Sequence, residues 1–156
     1  MSKSAGLLMY RIHDDELQIF LAHMGGPYFK NRDNGYWTIP KGLIENNEPN
    51  KEAAKREFQE ETGLVGEEPM FSLGEIKQKG GKIVYAWAFE YKGPDEVKIS
   101  SNSFEIEWPP KSGKKKTFPE IDEAQFFKEE EARKKINPAQ ADFISRLIHK
   151  CSSQER

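Results

Sequence analysis

Residues 41–64 read KGLIENNEPNKEAAKREFQEETGL, and the fold can be worked outward from them. Asn50 is a residue type that caps helices, and Gly63 is one that ends them. Between them Ala53, Ala54 and Phe58 recur at helical spacing, which predicts a helix over about residues 50–62 with one apolar stripe. Glu57, Glu60 and Glu61 lie three and four positions apart, so their carboxylates share a face and repel. Lys55 and Arg56 can balance such a face if it is merely solvated. The other reading is a hard divalent cation, which takes oxygen ligands from carboxylates.

The flanking segments predict strands. SAGLLMYRI and LQIFLAHM are apolar β-rich runs on either side of HDDE, a hairpin pattern. GGPYFKNRDNG reads as a loop and YWTIP as a short strand. MFSLGEIKQ and KIVYAWAFEYK flank Gly80-Gly81, and Tyr85, Trp87 and Phe89 alternate with Val84, Ala86 and Ala88, so a long buried strand pair is expected. SFEIEW alternates again, PPKSGKKKTFPEID reads as a loop, and PAQADFISRLIHKC predicts a closing amphipathic helix. Strands, helix, strands, helix imply a mixed sheet with helices packed on it.

A chain of 156 residues fits one domain. Charged residues make up 32% of it, yet the net charge is only −2, which argues against a nucleic-acid-coating or polyanionic protein. One cysteine, Cys151, excludes an intramolecular disulfide and a cysteine-based zinc site. The short apolar N-terminal run is broken by Arg11, and no run is long enough to span a bilayer. The expected setting is soluble and cytoplasmic, with no membrane and no stable nucleic-acid partner, as a monomer or homodimer. His13, His23 and His149 are scattered and suggest no shared metal site.

The acidic helix has a wider frame. Gly42, Glu48, Arg56-Glu57, Phe58, Glu60-Glu61, Gly63 and Leu64 stand at the spacing of the Nudix box, so residues 42–64 resemble the signature of Nudix hydrolases. The resemblance implies an α/β/α sandwich with a mixed sheet over a single domain, 1–156. It also implies hydrolysis of a nucleoside diphosphate linked to another group, by attack of water on phosphorus. Mg²⁺ or Mn²⁺ would neutralise the phosphate oxygens and the leaving group.

Carried over residue by residue, the metal ligands are Gly42, through its carbonyl, and Glu57, Glu60 and Glu61. Arg56 would orient Glu57, and Glu48 would steady the loop or reach a metal-bound water. Glu57 is the first candidate for the catalytic base. Glu120, in a turn before an expected strand, is the second.

The substrate is less constrained. WTIPKG, Trp37 to Gly42, resembles the run before the box in asymmetric dinucleoside tetraphosphate hydrolases and would place Lys41 beside phosphates. Marks of the NADH, ADP-ribose and coenzyme A branches are missing. SAGLLMYR, the GGP loop and EWPPKSG resemble bacterial predicted NTP pyrophosphohydrolases of the Nudix family. Tyr85 and Trp108 are candidate base contacts, and Lys111 and Lys114 candidate phosphate contacts. Dinucleoside polyphosphates and nucleoside triphosphates both stay open. A non-catalytic nucleotide-binding module is the rival, but such relatives commonly lose one of the box acids, and here none is lost.

Overall fold

The computed structural model describes residues 2–154. The first two apolar runs form β1 (Lys3–His13) and β2 (Glu16–Met24), paired antiparallel with Tyr10 opposite Ile19. Asp14 and Asp15 turn the chain at φ 51° and 64°, and two successive left-handed residues give the tight turn whose twist suits a hairpin. β3 (Trp37–Thr38) adds to β2, and β4 (Lys41–Leu43) adds to β1 at Ser4–Gly6. The helix α1 (Asn50–Thr62) follows.

β5 (Met70–Gln78) and β6 (Lys82–Glu90) form the expected pair around the glycine turn. β7 (Ser103–Glu107) and β8 (Lys115–Pro119) make a separate hairpin, and β9 (Ile121–Lys128) returns antiparallel to β2. The chain closes with α2 (Glu129–Lys135), a short 3-10 turn and α3 (Ala141–Gln154).

The main sheet runs β3-β2-β1-β6-β5, with β4 also on β1 and β9 on β2. β6 lies parallel to β1, so the sheet is mixed. Strand alternation sends each side chain to one of two cores. On one face Ala53, Ala54 and Phe58 of α1, all fully buried, pack on Ala5, Leu7, Met9, Phe20 and Phe89. On the other, Phe143, Ile144 and Leu147 of α3 pack on Leu8, Leu21, Ala86 and Ala88. The expected α/β/α sandwich is present. One edge of β1 is shared, by β4 at Ser4–Gly6 and by β2 at Tyr10–His13, so β2 and β4 part and leave a notch beneath the end of α1.

Four local expectations differ. Asn50 does not cap α1: Pro49 holds the N-cap position, its carbonyl accepting from the Ala53 N–H at 3.0 Å, and Asn50 is the first helical residue. The expected loop PPKSGKKKTFPEID contains β8, held by Phe104 opposite Phe118 and by Glu107 opposite Lys115. The short strand expected at YWTIP shrinks to the two residues of β3, and β4 forms within the opening stretch, where no strand is expected. α2, EEEARKK, has no apolar stripe to announce it. It buries only Ala132 and matches the helix dipole, with acids in its first turn and bases in its last.

Candidate active site

The polar face of α1 is organised by one arginine. Arg56 donates through Nε and Nη2 to the two oxygens of Glu48, at 2.8 and 3.0 Å, a bidentate pair. Its Nη1 donates to Glu57 Oε1 at 2.8 Å and to both oxygens of Glu60 at 3.3 Å, and Nη2 also reaches the Leu43 carbonyl at 3.1 Å. The arginine hydrogen bonds hold the Glu48 carboxyl down at about 2. Glu48 in turn accepts from the Glu45 N–H at 3.1 Å, which closes the loop before the helix.

Glu57 leans away from solvent onto β4. Its carboxylate lies against the bare Cα of Gly42, where any β-carbon would overlap it. That close approach is a physical reason for glycine at this position. Burial pushes the Glu57 carboxyl above the ordinary glutamate value, and Arg56 opposes the shift. Glu61, one turn further along the helix, accepts from the Lys41 backbone N–H at 3.0 Å. Its burial, aided by the charges of Glu57 and Glu120, lifts its carboxyl to about 8. Burial also lowers the Lys41 ammonium, Lys82 adds to this, and Glu61 and Glu57 oppose it.

Glu120 reaches this corner through the backbone. Ser100 N–H donates to the Thr62 carbonyl at 2.8 Å and Asn102 N–H to the Glu60 carbonyl at 3.0 Å, stitching residues 100–102 along the end of α1. Glu120 N–H then donates to the Asn102 carbonyl at 2.8 Å, and Ile121 N–H to Ser101 Oγ at 3.0 Å. Glu120 is thus carried to within electrostatic reach of Glu61. Nothing in the residue pattern of Ser100–Asn102 announces this bridge, because its donors are main-chain groups.

The remaining candidates separate. Tyr85 is half-buried against the α1-side core. Trp108 lines a cavity of about 650 Å³ together with Gly26, Pro27 and Lys116. Lys111 sits in the hairpin turn at φ 63°, its N–H donating to Glu107 Oε1 at 2.7 Å, and Lys114 N–H donates to Ser112 Oγ at 3.2 Å. Neither lysine lines that cavity.

Among the described residues no three acidic or histidine side chains close on a common point. Arg56 instead shares Glu48, Glu57 and Glu60. The donor set still fits a hard cation. Glu57 and Glu61 present carboxylate oxygens at a partly dehydrated corner, where burial first, and then the neighbouring Glu57 and Glu120 charges, lift the Glu61 carboxyl to about 8. A β-carbon at Gly42 would fill the approach to the Glu57 oxygens.

A mixed sheet between helices, with an acid-bearing loop–helix–loop over its notch, is the Nudix architecture. The NUDIX domain model matches residues 3–147, and the chain belongs to that family. It is 29% identical over 115 residues to the asymmetrical bis(5'-nucleosyl)-tetraphosphatase of Caenorhabditis elegans, a span covering 68% of this chain and 77% of that one. Among solved structures it resembles a C. elegans Ap4A hydrolase binary complex (TM-score 0.69, 21% identity, 98% and 99% of the two chains). It also resembles the NUDIX domain of Shewanella oneidensis NrtR complexed with ADP ribose (TM-score 0.65, 12% identity, 96% and 87%). At these identities the structural likenesses show the fold. No helix among the described residues is long and apolar enough to cross a membrane.

Proposed function

We propose that the protein is a single-domain hydrolase of phosphoric anhydride bonds that cleaves a dinucleoside polyphosphate asymmetrically, with Mg²⁺ or Mn²⁺ held by Glu57, Glu60, Glu61 and the Gly42 carbonyl. The observation that carries the reading is the packing of the Glu57 carboxylate on Gly42 beside the buried Glu61, which accepts from the Lys41 N–H. The tetraphosphatase relative supports the substrate class. The lone cysteine suits a reducing cytoplasm.

Bound at this corner, a divalent ion supplies positive charge against the phosphate oxygens and the leaving group. The protein's own groups do the rest. Arg56 fixes Glu57 through Oε1, and the Glu57 carboxylate so held is the first candidate to take the proton of the attacking water. As the water oxygen bonds to phosphorus, the bridging P–O bond breaks and the departing nucleotide keeps the bridging oxygen. Lys41, at the mouth of β4 beside Glu61, supplies a compact cation for the phosphates. Glu120 is the second acid at the site and the alternative proton acceptor.

Incubation with Mg²⁺ and a panel of diadenosine polyphosphates, nucleoside triphosphates and ADP-ribose tests the proposal. Diadenosine tetraphosphate should give ATP and AMP, and Glu57→Gln should slow it about a hundredfold or more. A wild-type protein that turns over none of the panel, or a Glu57→Gln variant as fast as wild type, would sink it. Cleavage of triphosphates alone would keep the chemistry and replace the substrate.

A further inference from the structure

The β7–β8 hairpin is a large cationic feature to which the hydrolytic corner gives no task. It is fastened to the chain after β2. The Phe104 ring lies over Gly26, where a β-carbon would stand 2.7 Å from its Cζ, and the Gly25 N–H donates to the Glu120 carbonyl at 2.9 Å. Hairpin and loop therefore form two fixed walls. Tyr28 projects from the loop and Trp108 from the hairpin, and the rings meet edge to face, centroids 5.4 Å apart and planes at 81°.

The space beside this pair is the cavity of about 650 Å³, within the size range of small-molecule sites. Phe118 adds an apolar wall, Asn31 an amide with both donors and an acceptor, and Lys30 and Lys116 positive charge, while the lining's carboxylate, Asp122, is engaged by His23 Nδ1 at 2.8 Å. The neighbouring Lys115 is paired with Glu105 at 3.7 Å. Tyr28 is 58% exposed, so a large ring is left in water at the cavity rim.

Rings with an open face, two cations and a donor–acceptor amide match one ligand class: a nucleobase with phosphates attached. The position matters as much as the chemistry. Pro119 lines the cavity, and the next residue, Glu120, donates its N–H to the Asn102 carbonyl at 2.8 Å, while the Asn102 N–H meets the Glu60 carbonyl at the end of α1 at 3.0 Å. The cavity therefore adjoins the acidic corner without being part of it.

We propose that this cavity is a second nucleoside subsite. One base packs on Tyr28 and Trp108, Asn31 reads its edge, and Lys30 and Lys116 take the phosphates nearest to it, while the scissile linkage lies among the acids of α1. This rests on the dinucleoside reading above and deepens it, because a substrate with a base at each end needs a second grip that a short substrate does not.

Calorimetric titration of the full-length protein in EDTA, where no hydrolysis interferes, tests the subsite with diadenosine tetraphosphate, ATP and inorganic tripolyphosphate as probes. Tyr28→Ala and Trp108→Ala should each bind both nucleotides about fivefold to a hundredfold more weakly, at unchanged affinity for tripolyphosphate. Tyr28→Phe and Trp108→Phe should recover most of the loss, which separates stacking from misfolding. Lys116→Ala should weaken all three probes. Alanine variants that bind nucleotides as the wild type does, or that lose tripolyphosphate equally, would overturn the subsite, as would a wild type that binds tripolyphosphate as tightly as ATP. A failed dinucleoside reading shows up separately, as no hydrolysis by the wild type in Mg²⁺, and leaves the titrations readable.

Discussion

Two residues at the acidic corner carry different kinds of constraint. Gly42 is constrained by space. Its missing β-carbon is where the Glu57 carboxylate sits, so Gly42→Ala must displace the acid while leaving α1's buried stripe untouched. A displacement on the scale of 1 Å costs about a hundredfold in rate, and kcat/KM for diadenosine tetraphosphate should fall by that much with an unaltered circular dichroism spectrum. Glu61 is constrained by burial, to which the neighbouring acidic charges add. Its folded-state carboxyl titrates at about 8, above the ordinary 4.5, so between those values the folded protein holds a proton that the unfolded chain has released. The folded state is favoured by that proton below the ordinary value, and the advantage is lost as pH rises through about 8. In EDTA, Glu61→Gln should therefore lack a fall in Tm that the wild type shows from pH 5 to pH 8, and should be the more stable protein at pH 8. A wild-type Tm parallel to the variant's across that window would remove Glu61 from its proton-holding role. Under the proposed ligation a cation competes with the same proton, so Mn²⁺ should also raise the wild-type Tm more at pH 8 than at pH 6.

At the scale of elements, α1 shows how far a sequence can be read and where reading stops. Its length, its C-terminal glycine at φ 77° and its apolar stripe follow from local spacing, because helix geometry makes neighbours of residues three and four apart. The acids' common face was legible for the same reason. The role of Arg56 as a hub was only half legible. Its bond to Glu57 is adjacent in sequence, but its bidentate hold on Glu48 depends on a loop that folds back. Glu120 was placed before a strand correctly, yet its meeting with Glu61 runs through main-chain donors that no residue type encodes. α2 and β8 were missed because one lacks an apolar stripe and the other hides its pairing inside a lysine run. The hub makes a further prediction. Arg56→Ala strands Glu57 and Glu60 without their shared cation, and Tm should drop by about 5 °C or more. Arg56→Lys should recover less than half of that, because an ammonium cannot hold Glu48 through two parallel bonds while reaching Glu57. A lysine variant indistinguishable from wild type in a thermal melt would show that charge alone, and not the planar fork, holds the loop to the helix.

For the whole molecule, the two cores are built on opposite faces of one sheet. At the notch the short bridge of residues 100–102 joins the end of α1 to the start of β9. Through it the helix that carries Glu57, Glu60 and Glu61 is set against the strand that follows Glu120, so the relative placement of the acids is a property of the assembled sandwich. Apart from the Ser101 hydroxyl that accepts from Ile121, the bridge works by main-chain groups, which gives it an unusual mutational signature. Asn102→Ala keeps both the N–H that meets the Glu60 carbonyl and the carbonyl that meets the Glu120 N–H, and should lie within about 0.5 kcal/mol of wild type in urea denaturation, as surface substitutions do. Asn102→Pro deletes the N–H and leaves a helix-end carbonyl without that donor. It should lower kcat/KM by about tenfold or more if Glu120 takes part in the chemistry, since an acid that drifts from Glu61 loses its working geometry. Glu120→Gln separates the cases. If the proline variant is impaired and the glutamine variant is not, the bridge positions α1 and Glu120 is a bystander. If both are impaired alike and the double variant is no worse, the bridge acts by delivering Glu120.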